Sequence, residues 1–182
     1  MILKETQLSG AFLVLPELRT DERGFFARTF CEKEFSARML APRFVQCSVS
    51  FNTRKGTLRG MHFQADPKPE SKLVRCTRGA IFDVIIDLRP ESPTFRKWAG
   101  FELNQDNRLA LYVPAGFCHG FQTLSENAEV FYQMSEFYYP ELARGVRWND
   151  PSFAIEWPLL NPHLSPKDAG YPDFTDLESL KK

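Results

Sequence analysis

Two of the three histidines sit where an imidazole could move protons. Arg59-Gly60-Met61-His62-Phe63-Gln64 reads as a strand, which puts His62 and Gln64 on one face. Pro114-Ala115-Gly116-Phe117-Cys118-His119-Gly120-Phe121 places His119 in a glycine-bounded turn that leads into a strand. A neutral imidazole can serve as base or acid near pH 7, and each histidine can equally be a satisfied structural residue. Lys72 opens the alternating stretch Lys72-Leu73-Val74-Arg75-Cys76-Thr77 and shares its face with Val74 and Cys76. A solvated lysine at a strand end is the commoner case. Tyr132, within Val130-Phe131-Tyr132-Gln133-Met134, is compatible with plain core packing.

Other chemistries fit poorly. A second histidine close to His62 would suggest a metal, but Phe63 and Gln64 follow it, so no metal is expected. Glycine patterns of the Walker or Rossmann kind are missing, as is a Gly-x-Ser-x-Gly elbow. Cys31, Cys47, Cys76 and Cys118 are scattered, without Cys-x-x-Cys spacing or a local activating partner. Reduced, buried thiols in a cytoplasmic protein are therefore expected.

The elements that must carry these residues are mostly strands. The 182 residues suit one domain spanning 1–182, and 43% hydrophobic with 25% charged residues suits a buried core rather than disorder. Zero net charge and no basic stripe argue against a nucleic-acid partner. Met1 runs into Lys4, Glu5 and Thr6 without an apolar segment, and no apolar run is long enough for a membrane span. Seventeen Phe, 13 Pro and 10 Gly point to aromatic-rich strands and frequent turns. After a turn at Asp21-Glu22-Arg23-Gly24, residues 32–40 predict a helix, with Phe35 and Met39 on one face and Pro42 closing it.

Strands are predicted at 72–77, 81–88, 109–113, 120–123 and 129–137. In the second, Phe82, Val84, Ile86 and Leu88 share one face and Asp83, Ile85 and Asp87 the other. Such a series of short strands reads as a sandwich or jelly roll. Residues 159–174 carry little regular pattern, and the charged tail 176–182 is expected to fray or form a short helix.

Taken in order, several blocks carry a resemblance. They are Asp21-Glu22-Arg23-Gly24-Phe25-Phe26, Leu58 through Gln64, Lys72-Leu73-Val74-Arg75, and Asp87-Leu88-Arg89 with Ser92-Pro93-Thr94. Pro114 through Phe121, Trp148-Asn149-Asp150-Pro151, Trp157-Pro158 and Ser165-Pro166-Lys167-Asp168 complete the series. The chain resembles the deoxythymidine-diphosphate-4-dehydrorhamnose 3,5-epimerase family from about Gly10 to Phe174.

That resemblance implies an all-β, cupin-type double-stranded β-helix (a jelly-roll barrel) with a few short helices. It also implies a homodimer with an exchanged N-terminal segment and no cofactor. By resemblance His62 is the general base, Asp168 orients it, Tyr132 is the opposing acid, and Lys72 stabilises the oxyanion at the sugar C4. Arg59 and His119 would line the sugar and diphosphate region. Arg23, Phe26, Arg28, Gln46, Ser48 and Tyr138 match positions around the nucleotide, the Arg23 to Arg28 segment coming from the neighbouring subunit. A C4 ketone acidifies the hydrogens on C3 and C5, and a base facing an acid inverts the carbon through an enolate.

The chain departs from the family around the nucleotide. Arg28 stands in Phe26-Ala27-Arg28-Thr29-Phe30 where Phe-x-Glu-x-Phe is common, Gln46-Cys47-Ser48 replaces Gln-x-Asn, and Ala143 replaces an acidic residue. A glutamate can accept a hydrogen bond from thymine N3–H; an arginine cannot. Arg28 could donate to cytosine N3, favouring a cytidine carrier, or contact a phosphate and leave thymidine recognition unchanged. Three functional readings follow. The first is a 3,5-epimerase of a nucleotide-linked 4-keto-6-deoxyhexose in rhamnose-type sugar biosynthesis. The second is a single-site epimerase or ketoisomerase, with a CDP-sugar as one alternative carrier. The third is a cupin that binds a sugar nucleotide without catalysis.

Overall fold

Residues 1–175 are described by a computed structural model; the tail expectation for 176–182 falls outside them. The N-terminal third contains β1 (Ile2–Glu5), β2 (Phe12–Leu15), β3 (Arg19–Asp21), β4 (Gly24–Phe26), α1 (Glu32–Ser36) and β5 (Gln46–Asn52). Next come β6 (Leu58–Gln64), β7 (Lys72–Arg78), β8 (Ala80–Asp87), β9 (Trp98–Asn104) and β10 (Ala110–Val113). β11 (Phe117–Thr123), β12 (Ala128–Met134), β13 (Ala143–Gly145) and α2 (Pro166–Ala169) follow.

The strands form a six-stranded sheet, β1-β2-β10-β7-β12-β5, and a five-stranded sheet, β13-β6-β11-β8-β9. Every pairing between these strands is antiparallel. Val74, Leu111 and Val130 from the first sheet meet Ile81, Ile85, Phe117 and Phe121 from the second in the central core. This is a cupin-type β-sandwich. The expected jelly roll takes the form of two facing sheets, and among the described residues no single hydrogen-bonded sheet closes on itself.

The outer faces are also apolar, which explains strands without clean alternation. Val84 and Ile86 of β8 point away from the central core and pack with Met61, Cys118, Val146, Phe153 and Phe174. Both faces of β8 are thus covered. On the other sheet Leu73, Ala110 and Tyr112 are covered by Phe35 and Leu40. Phe35 sits edge-on to Phe30 at 4.9 Å and to Tyr112 at 5.8 Å.

Several expectations are corrected. The helix predicted over 32–40 stops at Ser36, and Met39 is 95% exposed instead of sharing a face with Phe35. Its end is a Schellman-type turn: Met39 adopts φ 57°, Leu40 N–H donates to Phe35 O, and Met39 N–H donates to Ser36 O. Leu40, not Met39, therefore folds back onto Phe35. β12 ends at Met134 rather than 137, because Ser135 N–H turns to Ser71 O. A capped helical turn, α2, lies in the stretch expected to be irregular.

His119 lies inside β11, not in a turn. Gly120 serves close approach instead of a bend: a Cβ on Gly60 would lie 2.6 Å from Gly120 Cα. Only Cys76 and Cys118 are buried; Cys31 is half-buried and Cys47 exposed, contrary to the expectation of buried thiols throughout. Among the described residues no helix is long and apolar enough to cross a membrane.

Candidate active site

At one end of the sandwich the space between the sheets turns from apolar to polar. A cavity of about 720 Å³ opens there, within the range of small-ligand sites. From the five-stranded sheet β6 contributes Arg59 and His62, and β11 contributes His119; His62 and His119 are direct cross-strand partners. From the six-stranded sheet Tyr132 lies between Ser48 on β5 and Val74 on β7, with Lys72 two pairs further along, opposite Met134. His62 and Tyr132 therefore enter the same cavity from opposite walls.

Asp168 reaches His62 from 106 positions away, its Oδ1 lying 2.6 Å from His62 Nε2. Local sequence explains the reach. Ser165 caps α2 by accepting from Asp168 N–H, and Pro166 at the first helical position presets the turn. The following segment is fastened to the chain after β13. Arg147 N–H donates to Pro172 O, the Arg147 guanidinium grips both Asp173 oxygens at 2.5 and 2.7 Å, and Phe174 N–H donates to Asp150.

Burial opposes ionisation of Asp168, but the bonds to His62 and Ser165 and the charge of Arg59 outweigh it and hold the carboxyl below its usual range. Its side chain is only 7% exposed, whereas His62 is 41% exposed and open to the cavity. Tyr171 stands edge-on to the imidazole, ring centroids 5.5 Å apart.

The opposite wall is equally defined. Burial raises the Tyr132 phenol well above its ordinary pKa, and the nearby Asp83 charge adds to that against Ser50 and Arg59. The phenol stays protonated at neutral pH, where it is available as a proton donor and not as a base. His119 packs 6.4 Å from the Tyr132 ring, and its Nε2 lies 2.5 Å from the fully buried Asp83. The Lys72 ammonium contacts Glu70. Arg59 is steered by Asn52, whose amide oxygen accepts from Nε at 2.7 Å. Arg59, Lys72, Arg144 and Lys167 set four positive charges in the lining against Glu70 and Asp168, a surplus suited to a diphosphate.

His62, Tyr132, Asp168, Lys72, Arg59, His119, Gln46, Ser48 and Tyr138 are thus brought to one cavity. Gln46 has a refined role, because its amide oxygen accepts from Tyr138 N–H at 2.6 Å and fixes that rim tyrosine. Arg23, Phe26 and Arg28 are not brought to this cavity within the chain. They lie on or beside the β3–β4 hairpin, which pairs with neither large sheet. Phe26 is 68% exposed, Arg23 pairs with Asp21, and Arg28 lies 3.7 Å from Glu34.

Glu70, Asp83, Lys167 and Tyr171 were missed from sequence. Asp83, a charge within an apolar strand, was the available signal for a buried partner. The cysteines offer no rival nucleophile in the core: burial pushes Cys76 up to about 11 and Cys118 up to about 12. No group of three or more His, Cys, Asp or Glu converges as metal ligands among the described residues.

Comparison with known proteins agrees with this geometry. The family described as dTDP-4-dehydrorhamnose 3,5-epimerase matches residues 5–176. A protein of that description from Methanothermobacter thermautotrophicus is 48% identical over 155 residues, 85% of this chain and 83% of that one. The crystal structure of a Bacillus anthracis enzyme of the same description, with TDP and PPi bound, superposes with a TM-score of 0.91 at 43% identity, covering 95% of this chain and 99% of that one. A Legionella pneumophila dTDP-6-deoxy-D-glucose-3,5-epimerase in complex with dTDP-4-keto-L-rhamnose gives 0.90 at 37% identity over 98% and 96%. With that match across nearly its whole length, the chain belongs to the dTDP-4-dehydrorhamnose 3,5-epimerase family.

Proposed function

We propose that this protein inverts C3 and C5 of a dTDP-linked 4-keto-6-deoxyhexose by proton transfer through an enolate, in deoxysugar synthesis. The observation that carries this is the His62–Asp168 pair on one wall facing a protonated Tyr132 on the other. Asp168 holds Nε2, so Nδ1 is the nitrogen that takes the proton on carbon. As the C–H bond breaks, charge develops on the C4 oxygen, where the Lys72 ammonium is placed to receive it. Tyr132 then donates to the opposite face of the same carbon; His62 gives up the abstracted proton to solvent and the tyrosinate regains one from it, so both groups are reset for the second carbon. The ketone alone supplies the acidity, so the reaction requires no metal or cofactor.

Arg59, Arg144 and Lys167 supply charge for the diphosphate, and Asp83 sets the orientation of His119 beside the sugar. Tyr138 offers an aromatic face at the rim for the base, with Ser48 within reach of the ribose side. The protein works as a single-domain, cytoplasmic homodimer in which the partner's hairpin completes the nucleotide site. The exposed Phe26, Arg23 and Arg28 on a hairpin apart from both sheets support that reading.

Proton NMR of dTDP-4-keto-6-deoxyglucose with the enzyme in deuterium oxide tests it. Washout at both C3 and C5, abolished by His62→Ala, is expected; washout at one carbon alone would make this a single-site epimerase. Titrations with dTDP and CDP read the role of Arg28, and stronger CDP binding would overturn the thymidine assignment.

A further inference from the structure

Glu70 is a carboxylate in the cavity lining that the reaction above leaves without a task. It precedes Lys72 by two residues, and its Oε1 contacts the Lys72 ammonium. Both side chains are nearly enclosed, at 11% and 14% exposure. The fold does not need this pair to hold the strand. Lys72 is already in register with Val113 on one side and Met134 on the other, and Ser71 is tied to Ser135 and Ala115. Nor does Lys68 compete, since it pairs with Glu136 at 3.6 Å. A negative charge here also repels the diphosphate and the forming enolate, so it weakens ligand binding.

We infer that Glu70 is a positioning residue: it tethers the Lys72 ammonium so that its remaining N–H groups meet the C4 oxygen of the sugar, at some expense of ligand affinity. A lysine stem is flexible and its ammonium carries three donors, so an untethered Lys72 samples many positions in a cavity of about 720 Å³. Oxyanion stabilisation depends on donors fixed before charge develops. The two walls then share a construction, with a carboxylate behind the base and a carboxylate behind the electrophile. This inference rests on the epimerase reading.

The two effects of Glu70 have opposite signs, and that separates positioning from mere structure. In Glu70→Gln, which keeps shape and acceptor but removes charge, kcat for deuterium wash-in should fall roughly 5- to 30-fold. The Kd for dTDP should tighten about 2- to 5-fold in the same variant, from loss of the repulsion. Glu70→Asp, which keeps charge but shortens the tether, should lower kcat without tightening dTDP. In a Lys72→Met background, Glu70→Gln should no longer lower kcat, since nothing remains to be positioned. An active wild type with unchanged kcat in Glu70→Gln overturns the role of Glu70 alone, as does joint loss of kcat, dTDP affinity and Tm. A wild type that exchanges neither proton overturns the epimerase reading, and this inference with it.

Discussion

Replacing Asp168 by asparagine removes one charge and leaves the shape of the site. Asp168 Oδ1 lies 2.6 Å from His62 Nε2, in an environment that keeps the carboxyl ionised. A hydrogen bond to a charged partner contributes about 1.5–3 kcal/mol, and here it strengthens as His62 becomes an imidazolium. Loss of that amount from the transition state lowers kcat about 10- to 150-fold. A second effect acts in the same direction. If the amide nitrogen turns toward Nε2, the ring proton moves to Nδ1, the nitrogen that must be bare. KM should stay within about twofold, because the carboxylate faces the imidazole and its side chain is only 7% exposed. Initial rates of C3 and C5 washout in deuterium oxide measure kcat, with circular dichroism confirming the fold. A kcat within twofold of wild type, or a loss matched by a proportional rise in KM, would refute the reasoning.

Other outcomes follow from the same geometry. Tyr132→Phe should retain hydrogen exchange at the base's face but lose inversion by about 10²- to 10⁴-fold, read by comparing washout with product stereochemistry. Gly145→Ala should lower stability by roughly 1–3 kcal/mol in urea unfolding. The added Cβ would lie 2.5 Å from Met61 O and 2.7 Å from the Tyr171 ring, and it should also slow exchange by displacing Tyr171 from His62. Acid should unfold the protein through Asp87 and Asp168. Burial opposes the charge on each, but bonds from Arg89, Ser92 and Thr94 to Asp87, and from His62 and Ser165 to Asp168, hold both below the ordinary value of 3.8. Their stabilisation is complete above that value and is lost as pH falls through the depressed folded values. Urea midpoints should therefore drop steeply below pH 4, and Asp87→Asn should flatten the slope.

Much of the site was legible because it is built on strands with strong local signals. The alternation from Lys72 onward puts that lysine on one face with Val74 and Cys76, which the structure turns inward, and the ordered blocks holding His62 and Asp168 carry the resemblance that pairs them and adds Tyr132. Local pattern failed where distant contacts decide. His119 was read into a turn because a glycine follows it, although Gly120 lets two backbones touch. Met39 has the helical spacing from Phe35, but a left-handed residue reverses the chain and buries Leu40 instead. Tyr171 and Glu70 gave no sign, since their meaning lies in which side chains they touch. α2 was written in Ser165-Pro166-Lys167-Asp168, a capping pattern that was read only as a family block.

The opposed placement of His62 and Tyr132 makes the interior of the sandwich a ruler. On the mechanism proposed above, the base belongs to one sheet and the acid to the other, with Val74, Val130, Ile85 and Phe121 packed between the sheets in the core. A deprotonated carbon relaxes to a planar centre, and which face regains hydrogen depends on which wall stands nearer at that instant. If His62 and Tyr132 act as proposed, side-chain volume in the core would therefore help to set handedness in the product. On that mechanism, drift in these apolar residues would shift the ratio of inverted to merely exchanged sugar while every group that touches the ligand stays the same.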